Sequence, residues 1–173
     1  MEKKLKYADE KDKSFGLAGM AISLIACDSE EYIASVSLEK TEEPFAMTCD
    51  YFFDGNPGMF AKKAWNELLK QYQVCVGMLI GNILCRYAII GKRPESSVLQ
   101  SVHTIAKSLG EEYCSLEEDE INELFNKIYQ HYGQLFTHPS VVNVARNFAT
   151  TLRMRRRMSA AEVLEELSQL NHA

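Results

Sequence analysis

No Gly-x-Ser-x-Gly elbow, no glycine-rich phosphate loop and no G-x-G-x-x-G fingerprint occurs in this chain. The nucleophile and nucleotide sites that announce themselves in sequence are therefore missing. No two of the five cysteines (27, 49, 75, 85 and 114) stand in a C-x-x-C spacing, and their number is odd. That pattern speaks against a zinc site and against a disulfide framework. The histidines at 103, 131, 138 and 172 form neither Glu-x-x-His pairs nor His-Glu-x-x-His, the spacings that di-iron bundles and zinc proteases require. Neither a metal nor a cofactor is expected. Catalysis would need residues converging from distant segments, so the reading leans away from an enzyme.

Uninterrupted apolar runs are also short. Val74 to Ile90 contains Asn82 and Arg86. A membrane span calls for about 20 mostly apolar residues, so this stretch reads as a central core helix and no span is expected. A second run, Phe15 to Ala26, ends in Leu24-Ile25-Ala26-Cys27 behind Lys3, Lys4 and Lys6. That ending resembles a bacterial lipoprotein cleavage box, with Cys27 as the processing site. Asp9, Glu10 and Asp12 stand inside the supposed basic leader, where acids are disfavoured. A first buried helix in a cytoplasmic, reducing compartment is the preferred expectation, and the lipoprotein is its alternative.

What is present suits one soluble domain. The 173 residues are 46% hydrophobic and 25% charged, with net charge −5. A chain of this length buries roughly 70% of its unfolded surface, and an acidic balance does not favour nucleic acid. The charge is unevenly placed. Residues 111–123 hold seven acids, whereas residues 146–157 hold five arginines and no acid.

Apolar spacing predicts a mainly α fold. It is a single-domain bundle of about six or seven helices (14–173) behind a solvated leader (1–13), with a small β-hairpin at about 32–53. Leu17, Met20, Ala21, Leu24 and Ile25 recur at helical spacing from Ser14 to Cys27. Tyr32 to Leu38 and Phe45 to Phe53 alternate with period two around a turn-like Lys40–Pro44 link. The rival for that region is a helix capped by Asp28 and Glu31 with loop beyond. Tyr51-Phe52-Phe53 cannot all face one side of a strand.

From Asn56-Pro57, a helix-start pair, the pattern is helical throughout. Phe60, Ala64, Trp65, Leu68, Leu69 and Tyr72 form one face, and Val74–Ile90 is the most buried segment, ended by Gly91 and Pro94. The next helix stops at Gly110. Ser115 and Glu118 provide a capping box, Pro139 opens another helix, and Ser159 with Glu162 caps the last. That last helix is too short to be stable alone, so it must dock on this chain or on a neighbour.

Two groups are candidate sites. The first is Arg153, Arg155, Arg156 and Arg157, where one helix ends and another starts. Read as one helical turn, Arg155 to Arg157 spread round most of its circumference, so the turn meets water or something negative. The candidates are an acidic protein partner, a second copy, nucleic acid, the chain's own acids at 111–123, or simply the helix dipole. The second group is Asn82 and Arg86, four apart on the apolar helix. Either they line a pocket or self-association interface where Arg86 meets a carboxylate, or both lie on an exposed edge. Gly77 and Gly81 on that helix permit another backbone to approach closely.

The function read from these features is an interaction or regulatory protein that is not an enzyme. It self-associates, as in a homodimer, or binds an acidic partner through its C-terminal basic segment. The alternatives are a nucleic-acid accessory protein using the arginine block, and an enzyme or ligand-binding protein with a pocket around Arg86.

Overall fold

The computed structural model describes residues 5–48 and 61–172. Within them the chain forms α1 (Glu10–Ala26), β1 (Ile33–Ser37), β2 (Phe45–Met47), α2 (Ala61–Ile89), α3 (Ser96–Cys114), α4 (Glu118–Leu135), α5 (Pro139–Arg155), β3 (Arg157–Ser159) and α6 (Ala160–Leu167). The fold is mainly α with one small antiparallel sheet in the order β2-β1-β3. Cys49, Asp50, the Tyr51–Phe53 trio and the Asn56-Pro57 helix start lie outside the described residues.

α1 begins four residues before the expected Ser14, because the Asp9 carboxylate accepts from the Asp12 N–H at 2.7 Å and caps the helix. From Leu5 onward the segment expected to be a solvated leader is thus tied down. Leu5 packs against the core, and Tyr7 is bonded to Asn82. α2 is one continuous 29-residue helix, where the sequence pattern divides it near Tyr72. Its two expected faces belong to different neighbours: Tyr72 donates to the Ala106 carbonyl of α3, whereas Gly81 abuts Gly19 of α1. Gly91, at φ 67, then turns the chain, with its own N–H and that of Lys92 satisfying the last carbonyls of the helix.

Further boundaries also move. α3 runs through Gly110 to Cys114, and Ser115 is the left-handed residue that ends it (φ 49). The capping box slides with it. Glu120 accepts from the Glu117 N–H at 2.8 Å, in place of the expected Ser115–Glu118 box. The final box is where it was expected, with Ser159 accepting from the Glu162 N–H and Glu162 from that of Ser159.

The hairpin forms, pairing Val36 with Phe45 and Ile33 with Met47. β3 was not anticipated. It pairs Ser35, Val36 and Ser37 with Ser159, Met158 and Arg157. The core runs through α1, α2, α5 and α6, with Leu17, Ala18, Leu24, Phe148, Leu152, Val163 and Leu167 all fully buried. α6 therefore docks on its own chain, against α5, β1 and β3.

Candidate functional site

The centre around Arg86 is built from the crossing of α1 and α2 and from the segment ahead of α1. Asn82 is fully buried, and the Arg86 side chain is only 13% exposed. The exposed-edge alternative is thereby overturned, because this side of α2 faces α1 and residues 6–12. Arg86 Nε donates to Asp12 Oδ1 at 2.8 Å and its Nη2 to Oδ2 at 2.6 Å, a bidentate pair. The same Nη2 donates to the Lys6 carbonyl at 2.9 Å, and the guanidinium lies 4.8 Å from the Tyr7 ring centre. Burial alone would raise the Asp12 pKa. The hydrogen bonds from Arg86 and the Ala8 N–H, with the charge on Arg86, outweigh burial and hold it below the ordinary carboxylate value. Asn82 Nδ2 donates to Tyr7 Oη at 2.9 Å, and burial pushes the Tyr7 hydroxyl up.

A cleft of about 540 Å³ opens beside this pair, with Asp12, Phe15, Arg86 and Ile89 in its walls. Its cations Lys11, Lys92 and Arg146 are interleaved with Asp9 and Glu95, and no histidine lines it. The guanidinium is already engaged by Asp12 and the carboxylate is held ionised. The bidentate pair clamps α1 to α2, and neither of its two members is free to act as an acid or a base.

The arginine block folds differently from one helical turn. Arg155 is the last residue of α5, Arg156 takes the left-handed conformation (φ 69), and Arg157 starts β3. The chain reverses here because Leu38 donates to the Arg156 carbonyl at 2.9 Å and Arg156 donates to that of Leu152 at 2.8 Å. Arg156 forks onto both carboxylate oxygens of Glu10, which lowers the Glu10 pKa and raises that of Arg156. Arg155 lies 3.7 Å from Glu162, and Arg153 sits 5.6 Å from the Phe15 ring centre. Among the described residues Arg157 has no ion pair.

The acids that satisfy this block are therefore Glu10 and Glu162. The 111–123 stretch pairs instead with Lys107, at Glu118 (3.0 Å) and Glu111 (3.9 Å). Its seven acids are all exposed at the α3–α4 corner.

Each charged surface carries an exposed apolar side chain that the sequence reading passed over. Met154, 79% exposed, stands among the arginines, and Tyr113, 64% exposed, stands among the acids. The signal was available for Met154, which falls off the Val141, Ala145, Phe148, Leu152 face of α5. Hydrogen bonds place the two surfaces toward opposite ends of α2. Cys114 beside the acidic corner reaches the Leu68 carbonyl, and Arg156 reaches Glu10, two residues from the partner of Arg86. Leu68 and Arg86 are separated by about 27 Å of helix at about 1.5 Å per residue.

No known family, curated protein or solved structure matches this chain. Among the described residues, no group of three or more His, Cys, Asp or Glu is arranged to hold a metal ion. His103 shares a 2.6 Å hydrogen bond with Asn122, and His131 packs on the Tyr132 ring. Cys85 is buried against α1, and burial pushes its thiol to about 12, so it behaves as a small apolar group. By length and composition Ala64–Ile89 is the one helix among the described residues that could cross a membrane. It is also the core helix, with 61% of its apolar window buried.

Proposed function

We propose that this chain is a non-enzymatic interaction protein that associates with a second copy of itself, seating its arginine edge against the acidic α3–α4 corner of the neighbour. The observation that carries this reading is the pairing of opposite charge with exposed apolar anchors: Met154 among Arg153, Arg155 and Arg157, and Tyr113 among Glu111, Glu112 and Glu117. Methionine adapts to irregular surfaces, and tyrosine is enriched at interface centres. Charges around such anchors steer encounter and set register more than they add affinity. Surfaces toward opposite ends of one molecule favour head-to-tail contact.

An acidic protein of another kind would use the same edge and is the second partner class. Nucleic acid is less well served, because net charge −5 repels phosphate and Arg156 is already forked onto Glu10. A pocket enzyme around Arg86 is less well served still, since Asp12 occupies its guanidinium. A cytoplasmic site of action fits this reading. Processing at Cys27 would remove all of α1, whose Leu17, Ala18, Ala21 and Leu24 are fully buried.

Sedimentation velocity tests the proposal. The wild type is expected to sediment faster as concentration rises at low salt, and to fall back toward monomer near about 0.5 M NaCl, where charges separated by more than a few ångströms are screened. R155E/R157E is expected to stay monomeric and folded, because the exposed Arg155–Glu162 pair contributes only about 0–1 kcal/mol. A wild type that is monomeric at every concentration and salt refutes self-association.

A further inference from the structure

A second cavity, of about 370 Å³, lies between the end of α1 and the facing sides of α2 and α4. We propose that it binds a small amphipathic anion: a carboxylate carrying an aliphatic tail. The inference does not depend on self-association.

Its walls follow from helical spacing. On α4, Leu124, Lys127, Ile128 and His131 fall at i, i+3, i+4 and i+7, and on α2, Lys70 and Val74 fall at i and i+4. Each helix thus turns a mixed stripe of apolar and cationic residues toward the same space. Val74, Leu124, Ile128 and the Tyr132 ring supply apolar wall, and Lys70, Lys127 and His131, all exposed, supply the polar mouth. Burial raises the Tyr132 pKa, and the Tyr132 hydroxyl donates to the Ser23 carbonyl at 3.1 Å, so this residue offers its ring and not its charge.

No acid lines the cavity. Asp28 and Glu30, neighbours in sequence of the lining Cys27 and Ser29, are not among its walls. Neither Lys70 nor Lys127 has an ion pair among the described residues. The cleft beside Arg86 differs on this point, since Asp9, Asp12 and Glu95 balance its cations. An apolar pocket with a few convergent groups of one sign selects a ligand with a tail and a single opposite charge. The volume has ample room for a chain of about eight carbons.

Calorimetry on the full-length chain, with R155E/R157E as the background so that association adds no heat, provides the test. Octanoate is expected to bind with a Kd of about 0.1–1 mM, as befits ten heavy atoms. Acetate, which lacks the tail, and 1-octanol, which lacks the charge, should each bind at least about tenfold more weakly. Adding K70Q/K127Q should weaken octanoate about tenfold and leave 1-octanol unchanged. Octanoate should also slow maleimide labelling of Cys27, read by peptide mass spectrometry, which locates the ligand in this cavity. Any of three results overturns the proposal: no octanoate binding up to about 10 mM, equal binding of octanoate and 1-octanol, or octanoate binding without protection of Cys27.

Discussion

Alanine at Gly19 is expected to cost about 3 kcal/mol of stability, although alanine is the better helix former by about 1 kcal/mol. At Gly19 a Cβ would stand 2.2 Å from the Gly81 carbonyl oxygen and 2.6 Å from the Cys85 Cβ. The obstacle is backbone, so the side chain has nothing to push aside. α1 and α2 would have to separate along their whole crossing, loosening Leu17, Ile22 and Leu24 together. The Ser23 hydroxyl, bonded to the Gly19 carbonyl at 2.7 Å, would be displaced as well. Gly133 is the internal control, because a Cβ there meets nothing within 4 Å. Gly133→Ala in α4 should be neutral or stabilising by up to about 1 kcal/mol. Urea unfolding of both variants reads the difference. If Gly19→Ala proves as stable as Gly133→Ala, the close crossing does not organise this core.

Removing the guanidinium at position 86 should be nearly as damaging. Arg86→Met keeps the apolar stem and leaves Asp12 part-buried without its partner, at an expected cost of about 2–3 kcal/mol. That figure sits below the range for fully dry pairs because the two side chains are 13% and 22% exposed. Asp12→Asn in the Arg86→Met background should recover part of the loss, since a neutral amide tolerates the site better than a stranded carboxylate.

The pH dependence has a definite sign. The folded pKa of Asp12 lies below its ordinary value of 3.8. Its contribution is fully present above that value and is lost as pH falls through the lower folded pKa. Wild-type stability should therefore decline on acidification below about pH 4 by more than that of Asp12→Asn. Equal acid slopes for the two proteins would show that the pair does not hold α1 to α2.

The helical frame was legible because its apolar residues recur at one period over long stretches, as in α4 and α5. Boundaries were legible only where a local chemical device sets them. Pro139 and the Ser159–Glu162 box mark helix starts in any context. The end of α3 was displaced from Gly110 to Ser115 because Gly110 packs closely against the Tyr72 hydroxyl, a tertiary fact with no local trace. β3 was illegible for a similar reason. Three residues show no alternation, and their partner, β1, lies more than a hundred positions earlier.

The candidate sites divide in the same way. Four apart on an apolar helix, Asn82 and Arg86 stood out as a polar pair in the sequence, but only folding decides between an exposed edge and buried contacts and reveals that Asp12 and Tyr7 supply the latter. The arginines announced an exposed corner. Their partners within the chain are Glu10 and Glu162 and not the acids at 111–123 that were one of the candidates, because α5 ends beside the start of α1 and not beside the α3–α4 corner.

The most direct test of the proposed association mixes two charge-reversed chains, R155E/R157E and E111K/E112K/D119K/E123K, and follows them by sedimentation velocity at low salt. Each alone presents like charges at both surfaces and should be monomeric. Their equimolar mixture should form a complex containing both chains, because each restores the opposite sign that the other lacks. A mixture that sediments as two unassociated monomers would contradict the account.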